Sequence, residues 1–124
     1  MRRPATTVVL LLLVAACGHP FQLREAAAAY EYGHYDETIA KLEPFVNDPG
    51  ALSFNGGGDA DRLNMQVATY LGLAHHKLGH RAVALSVLTQ ANQLYPAGPY
   101  DALPLPIVKE MEAALGDLQK NPPR

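Results

Sequence analysis

The sequence predicts an all-α fold in which two helical hairpins and a C-terminal capping helix form a short α-solenoid. First, apolar residues recur at helical spacing along most of the chain after residue 20. Second, two Gly-His steps, Gly33-His34 and Gly79-His80, each separate two such segments and lie 46 residues apart. Third, the segment Leu105–Lys120 has one apolar and one charged face, which is typical of a helix that closes a stack.

The second hairpin, residues 61–98, has the clearer pattern. Its first helix is predicted over 61–78, and its second carries Val83, Ala84 and Leu88 at apolar positions. Gly72 and Ala84 are small residues where the two backbones need to come close. Such a hairpin has more apolar surface than its own two helices cover, so it has to stack on other helices.

The first hairpin, residues 21–50, is predicted to contain helices over 21–32 and 35–46. Pro44 lies inside the second helix and removes a backbone donor, so we expect a bend or an early stop there. A glycine-rich loop is predicted over 51–60, with Asp59 or Asp61 capping the next helix. Phe54 in that loop either returns to the core or stays available to a partner.

The last part of the chain, residues 99–120, is predicted to cap the stack, and 121–124 form a polar tail. The apolar face of the capping helix consists of Val108, Met111, Leu115 and Leu118. The opposite, charged face consists of Lys109, Glu110, Glu112 and Asp117. One apolar stripe and one charged face suit a terminal capping helix.

Composition limits the function classes. At 124 residues the chain holds at most one domain. Its formal net charge of −2 comes without a basic stretch, so nucleic acid is not expected as a partner. Its one cysteine, Cys17, excludes an internal disulfide. Composition therefore favours a small globular protein whose ligand is not a nucleic acid.

The N-terminal residues are organised like a secretion signal. Arg2-Arg3 form a basic region, residues 8–14 are apolar but too few to span a bilayer, and Ala15-Ala16 are small. The run 13–17, LVAAC, resembles the lipobox of bacterial lipoproteins. The resemblance implies that residues 1–16 are removed as a signal peptide and that Cys17 is acylated, palmitate included. The alternative is an ordinary secretion signal that ends near a cysteine.

The lipoprotein resemblance also predicts where the chain resides. Residues 17–20 become a lipidated N-terminus, and two acyl chains are enough for stable anchoring in a membrane. In lipoproteins, a residue other than aspartate after the cysteine implies sorting to the outer membrane, and Gly18 stands there. The expected location is the bacterial cell envelope, at the outer membrane and facing the periplasm.

The two hairpins resemble each other and a known repeat family. Residues 33–45, GHYDETIAKLEPF, align with 79–91, GHRAVALSVLTQA, and the spacing equals a repeat of about 34 residues plus an insertion of about 12. This pattern resembles the tetratricopeptide (TPR) repeat. The residues that match it are Ala26, Gly33, Tyr35, Asp36-Glu37, Ile39 and Leu42 in the first unit and Leu71, Gly72, Gly79, Ala84, Ala91 and Pro96 in the second. Departures from it are Glu25, Thr38 and Gly50 in the first unit and Ala68, His75 and Leu88 in the second.

The TPR resemblance implies a binding face. Repeats of this family bind extended peptides or helices along the concave face, which the first helix of each unit lines. The corresponding positions here are Leu23, Ala27, Tyr30 and Glu31, followed by Gln66, Thr69, Leu73, His76 and Lys77. Lys77 alone does not reproduce the family's clamp for a peptide carboxylate. The alternative is that these residues merely pack against the C-terminal helix.

Catalytic and metal-binding patterns are not evident in the sequence. His76 and His80 have the four-residue spacing of a zinc-binding helix, but no glutamate follows His76 and spacing indicates no third ligand. Cys17 is assigned to lipid, so no pair of nucleophile and base can be assembled. We therefore predict neither an enzyme nor a cofactor or metal site.

Three functions are compatible with these patterns. The leading hypothesis is a lipid-anchored periplasmic TPR adaptor that scaffolds an envelope complex, in the manner of a pilotin or assembly factor, through a protein partner. The alternative is a structural lipoprotein that associates with copies of itself. A small metal-binding protein or enzyme that uses His76 and His80 is the third hypothesis.

Overall fold

A computed structural model describes residues 19–47, 58–94 and 102–123. These residues form five helices and no strand, which confirms the prediction of an all-α fold. In chain order the helices are α1 (His19–Glu31), α2 (Tyr35–Asn47), α3 (Gly58–Lys77), α4 (Arg81–Leu94) and α5 (Leu105–Lys120).

The two predicted Gly-His breaks form turns of the same geometry. Gly33 and Gly79 have φ angles of +81° and +82°, which glycine adopts without the steric cost of a Cβ atom. In each turn, two backbone amides bond back to the preceding helix, as in a Schellman motif. These bonds run from Gly33 N to Tyr30 O (3.0 Å), His34 N to Ala29 O (2.8 Å), Gly79 N to His76 O (3.1 Å) and His80 N to His75 O (2.9 Å).

Equivalent positions in the two hairpins bring the helices into close contact. A Cβ atom on Gly72 of α3 would lie 2.6 Å from side-chain atoms of Leu88 on α4, so the two helices leave no room for a methyl group there. In the first hairpin the equivalent residue is Ala26, whose carbonyl accepts a hydrogen bond from the Thr38 hydroxyl at 3.3 Å. Thr38 and Ala84, 46 residues apart, are both fully buried.

The helices pack in two layers. Each helix contacts the next along the chain, and in addition α1 contacts α3 and α3 contacts α5. This pattern places α1, α3 and α5 side by side in one layer and α2 and α4 in the other. The core lies between the layers, and its largest fully buried side chains are Leu42, Met65, Leu73, Leu88, Met111 and Leu118.

The structure bears on two local predictions. Helix α2 continues through Pro44 to Asn47, close to its predicted end, which excludes an early stop at Pro44 while the alternative, a bend, stays a prediction. Proline costs the helix one hydrogen bond, and Pro44 is exposed on its solvent side, so the rest of the helix persists. Helix α3 begins at Gly58, before both Asp59 and Asp61, so neither residue precedes the helix as a cap.

Several predicted features lie outside the described residues. Cys17, Phe54 and Pro96 are among them, as is the part of the glycine-rich loop from 51 to 57. Within the described ranges, none of the five helices combines the length and the apolar character needed to cross a membrane.

Candidate functional site

The predicted binding face lies on α1 and α3, and α5 covers the half of it that is nearer the two turns. There, the Tyr30 hydroxyl donates a hydrogen bond to Glu110 Oε1 at 2.7 Å. Lys77 Nζ lies 3.7 Å from the same carboxylate oxygen. A single acidic residue of α5 therefore joins α1 to α3.

A second acidic residue of α5 ties its end to the turn between α3 and α4. Asp117 Oδ2 accepts hydrogen bonds from His76 Nε2 at 3.1 Å and from Arg81 Nη1 at 3.0 Å. Arg81 also donates from Nη2 to the Asn121 carbonyl at 2.7 Å. The hydrogen bond from His76, followed by that from Arg81, holds the pKa of the Asp117 carboxyl below its ordinary value.

The apolar part of the predicted face is closed as well. Leu73 and Thr69 are buried, and the Thr69 hydroxyl donates to the Met65 carbonyl at 2.7 Å. Gln66 Nε2 donates to the Ala102 carbonyl at 2.6 Å, in the segment that leads into α5. Of the six predicted groove residues, Tyr30, His76 and Lys77 contact α5, Thr69 and Leu73 are buried, and Gln66 bonds to Ala102. Gln66 also lines the other half of the face, as do Leu23 and Ala27 of the same predicted face.

The half of this face that lies farther from the turns is left uncovered by the residues that the structure describes. It forms a groove of about 620 Å³ between α1, α3 and the segment 102–104. The apolar lining residues are Leu23, Ala27, Leu63, Tyr70, Ala102, Leu103 and Pro104, and the polar ones are Arg24, Arg62 and Gln66. Two arginines and, among the described residues, no aspartate or glutamate line this space. We call it the open groove.

A cluster of tyrosines separates the open groove from the covered half. The Tyr30 and Tyr70 rings meet edge to face with centroids 5.8 Å apart, and the Tyr35 ring lies 5.4 Å from that of Tyr30. Burial raises the pKa of the Tyr70 hydroxyl, and burial together with the bond to Glu110 raises that of Tyr30. Both phenols therefore stay neutral and act as packing and hydrogen-bonding groups.

The histidines do not pair with each other as their spacing in the sequence suggests. His76 bonds to Asp117, whereas His80 lies with its Nδ1 atom 2.9 Å from Nδ1 of His75. His76 and His80 therefore contact different partners, and their joint action stays a hypothesis. Within 19–47, 58–94 and 102–123, no group of three or more histidine, cysteine, aspartate or glutamate side chains is placed to hold a metal ion.

Sequence reasoning missed the roles of several residues. The sequence places Glu110 and Asp117 on the charged face of α5, opposite the apolar stripe, yet they reach α1, α3 and the turn. Their seven-residue spacing, which places them along one edge of the apolar stripe, is a signal in the sequence that points to a shared contact. Arg24 and Arg62 offered no such signal, because the path of residues 102–104 decides which part of the face stays open.

Comparisons with known proteins identify no relative of this chain. No family model, no curated protein and no solved structure matches it. Its function therefore has to be inferred from its own residues and their arrangement.

Proposed function

We propose that this protein is a lipid-anchored adaptor of the bacterial envelope, built from two TPR-like hairpins, that binds a segment of a protein partner in the open groove. The observation that carries the proposal is the groove itself, an apolar space of about 620 Å³ with Arg24 and Arg62 in its lining. A recess of this size and character, on a face made of stacked helices, is suited to the side chains of another protein.

The partner segment is expected to combine apolar side chains with a carboxylate. Leu23, Leu63 and Leu103 provide apolar contact area, while a guanidinium group pairs with a carboxylate through two parallel hydrogen bonds. Arg24 on α1 permits such pairing from one side of the groove. Because no described acidic residue lines the space, its charge complements an acidic segment better than a basic one.

The covered half is a poor binding site for the same partner. The α5 residues that pack against the core are Ile107, Val108, Met111, Ala114 and Leu118, and all are buried. Displacing α5 would expose that apolar surface at a cost of about 0.8 kcal/mol for each buried methylene group. The open groove requires no such displacement, so we place the partner there.

The lipid anchor is proposed from the sequence pattern at residues 13–17. Acylation of Cys17 would hold the helical domain at the outer membrane surface, and the short stretch before α1 would keep the groove close to other envelope proteins. Cys17→Ser should release the protein into the soluble fraction of lysed cells. Continued membrane association of that variant would rule out the anchor.

Site-specific photo-crosslinking tests the groove. A photoreactive residue at Leu63, in the open groove, should give a defined adduct in cells, whereas one at Ser86, exposed on α4, should not. Arg24→Glu should reduce the Leu63 adduct, because it reverses the charge of one side of the groove. The crosslinked partner peptide should contain both acidic and apolar residues.

Two results would contradict the groove proposal. One is the same set of adducts from Leu63 and Ser86, which would indicate nonspecific contact. The other is a Leu63 adduct that Arg24→Glu leaves unchanged and that maps to a basic segment. A Leu63 adduct with a second copy of this chain would instead support the self-associating structural protein.

A further inference from the structure

Two histidine side chains meet at the turn between α3 and α4. The Nδ1 atoms of His75 and His80 lie 2.9 Å apart, and the ring centroids are separated by 5.2 Å. His75 is half-buried at the end of α3 and His80 is exposed. Their backbones are held by the turn, because the His80 amide bonds to the His75 carbonyl at 2.9 Å and Gly79 has a positive φ angle.

The distance between the two nitrogens matches two adjacent ligands of one metal ion. If each nitrogen lies about 2.0 Å from a metal ion, a separation of 2.9 Å corresponds to an angle of about 90° at the metal. A square-planar or tetragonal ion has this angle between neighbouring ligands, whereas a tetrahedral ion requires nitrogens about 3.3 Å apart. Nitrogen ligands in this arrangement are typical of Cu²⁺.

We propose that His75 and His80 form a two-histidine site for Cu²⁺, with water molecules in the remaining coordination positions. The exposed position of His80 gives the ion a direct path from solvent. Binding requires both rings to be neutral with their protons on Nε2. The ring that donates in the histidine–histidine hydrogen bond therefore moves its proton from Nδ1 to Nε2, and no net proton is released from two neutral rings.

A negative charge lies near the pair, because the Glu43 carboxylate on α2 interacts with the His75 imidazole. This charge partly balances that of a divalent cation.

The first hairpin provides an internal control for this site. His34 occupies the place of His80 in the equivalent turn, but Ala29 occupies the place of His75. His34 Nδ1 lies 3.5 Å from a carboxylate oxygen of Glu37 instead. His76 is a second control, because its Nε2 atom is bonded to Asp117 and not to the histidine pair.

Titration of the full chain in detergent with CuCl₂ at pH 7, followed by electron paramagnetic resonance and calorimetry, tests the site. We expect one Cu²⁺ with nitrogen ligands whose affinity falls by at least about tenfold in both His75→Ala and His80→Ala, because loss of a ligand exceeds loss of a supporting residue. His34→Ala should bind Cu²⁺ as the wild-type chain does. Zn²⁺ should bind more weakly than Cu²⁺.

Circular dichroism of each variant separates loss of the site from loss of the fold. Since the pair lies at the surface of the turn, the helical signal should be unchanged in both alanine variants. Absence of Cu²⁺ binding by the wild-type chain would overturn the proposal. So would equal binding by the double variant His75→Ala/His80→Ala, and in either case the contact is a hydrogen bond alone.

Discussion

The two halves of the face formed by α1 and α3 differ in whether their side chains bond to α5. Near the turns, the polar groups of Tyr30, His76 and Lys77 bond to acidic residues of α5. Away from the turns, the lining is apolar with two arginines, and residues 102–104 border it without filling it. Polar residues on a predicted binding face can thus serve the protein's own capping helix, while the less conspicuous half remains open.

The largest loss of stability should come from truncating the core side chain that holds α5 over the covered half. Leu118 is fully buried, so Leu118→Ala should lower the free energy of unfolding by about 2–5 kcal/mol. Leu105→Ala is the matched control, because Leu105 is 55% exposed and its loss should cost no more than about 0.5 kcal/mol. Denaturant unfolding measures both. Equal, small effects would mean that α5 is not part of the cooperative core.

Helix periodicity was enough to predict α5, and glycine chemistry was enough to predict the turns. The apolar stripe gives the bounds Leu105–Lys120, and Gly33 and Gly79 take the positive φ angles that other residues avoid. That α5 covers half of the face formed by α1 and α3 could not be predicted in the same way. Glu110 and Asp117 stand at the edge of the stripe, where a charged residue can face solvent or a neighbouring helix, and tertiary packing decides between them.

The open groove was predictable only in part, through Leu23, Ala27 and Gln66 on the predicted binding face, for a related reason. Its lining combines residues of two helices with the segment before α5, and only the path of residues 102–104 leaves Arg24 and Leu63 uncovered. Pro44 is a similar case, since its local cost to α2 is outweighed by the hydrogen bonds and packing of the rest of the helix. Local rules therefore predicted the helices and turns, but not the surface they leave open.

A smaller loss of stability should come from a substitution where α3 and α4 approach each other closely, behind the covered half. In Gly72→Ala, the new methyl group would lie 2.6 Å from Leu88 side-chain atoms and 3.3 Å from the Leu88 backbone nitrogen, so either the buried Leu88 side chain or the helices must shift. We expect a loss of about 1–3 kcal/mol in the free energy of unfolding.

Gly116→Ala is the control for that substitution. Gly116 lies inside α5, and no atom of another element lies within 4 Å of the position that a methyl group would take there. Alanine should therefore stabilise the helix by up to about 1 kcal/mol. Thermal unfolding of both variants measures the difference. A neutral Gly72→Ala would contradict the close packing of the second hairpin.

The smallest effect should be the pH dependence of the bonds between Asp117, His76 and Arg81. Because the hydrogen bonds from His76 and Arg81 lower the pKa of Asp117 in the folded protein below its ordinary value, this carboxylate stabilises the fold above the pKa of the unfolded chain. That contribution is lost as the pH falls through the lower, folded pKa. Asp117→Asn should therefore flatten the stability profile below about pH 5. Urea unfolding across that pH range measures the profile. If Asp117→Asn loses stability at acidic pH as the wild-type chain does, the Asp117 carboxylate is not stabilised in the fold.

The central claim is that a partner binds the open half and not the covered half. Its most direct test compares photo-crosslinkers at Leu63, in the open groove, and at Lys77, beside Glu110 in the covered half, in cells that contain the lipidated protein. We expect a defined partner adduct from Leu63 and none from Lys77. A partner adduct from Lys77 but not from Leu63 would contradict the claim.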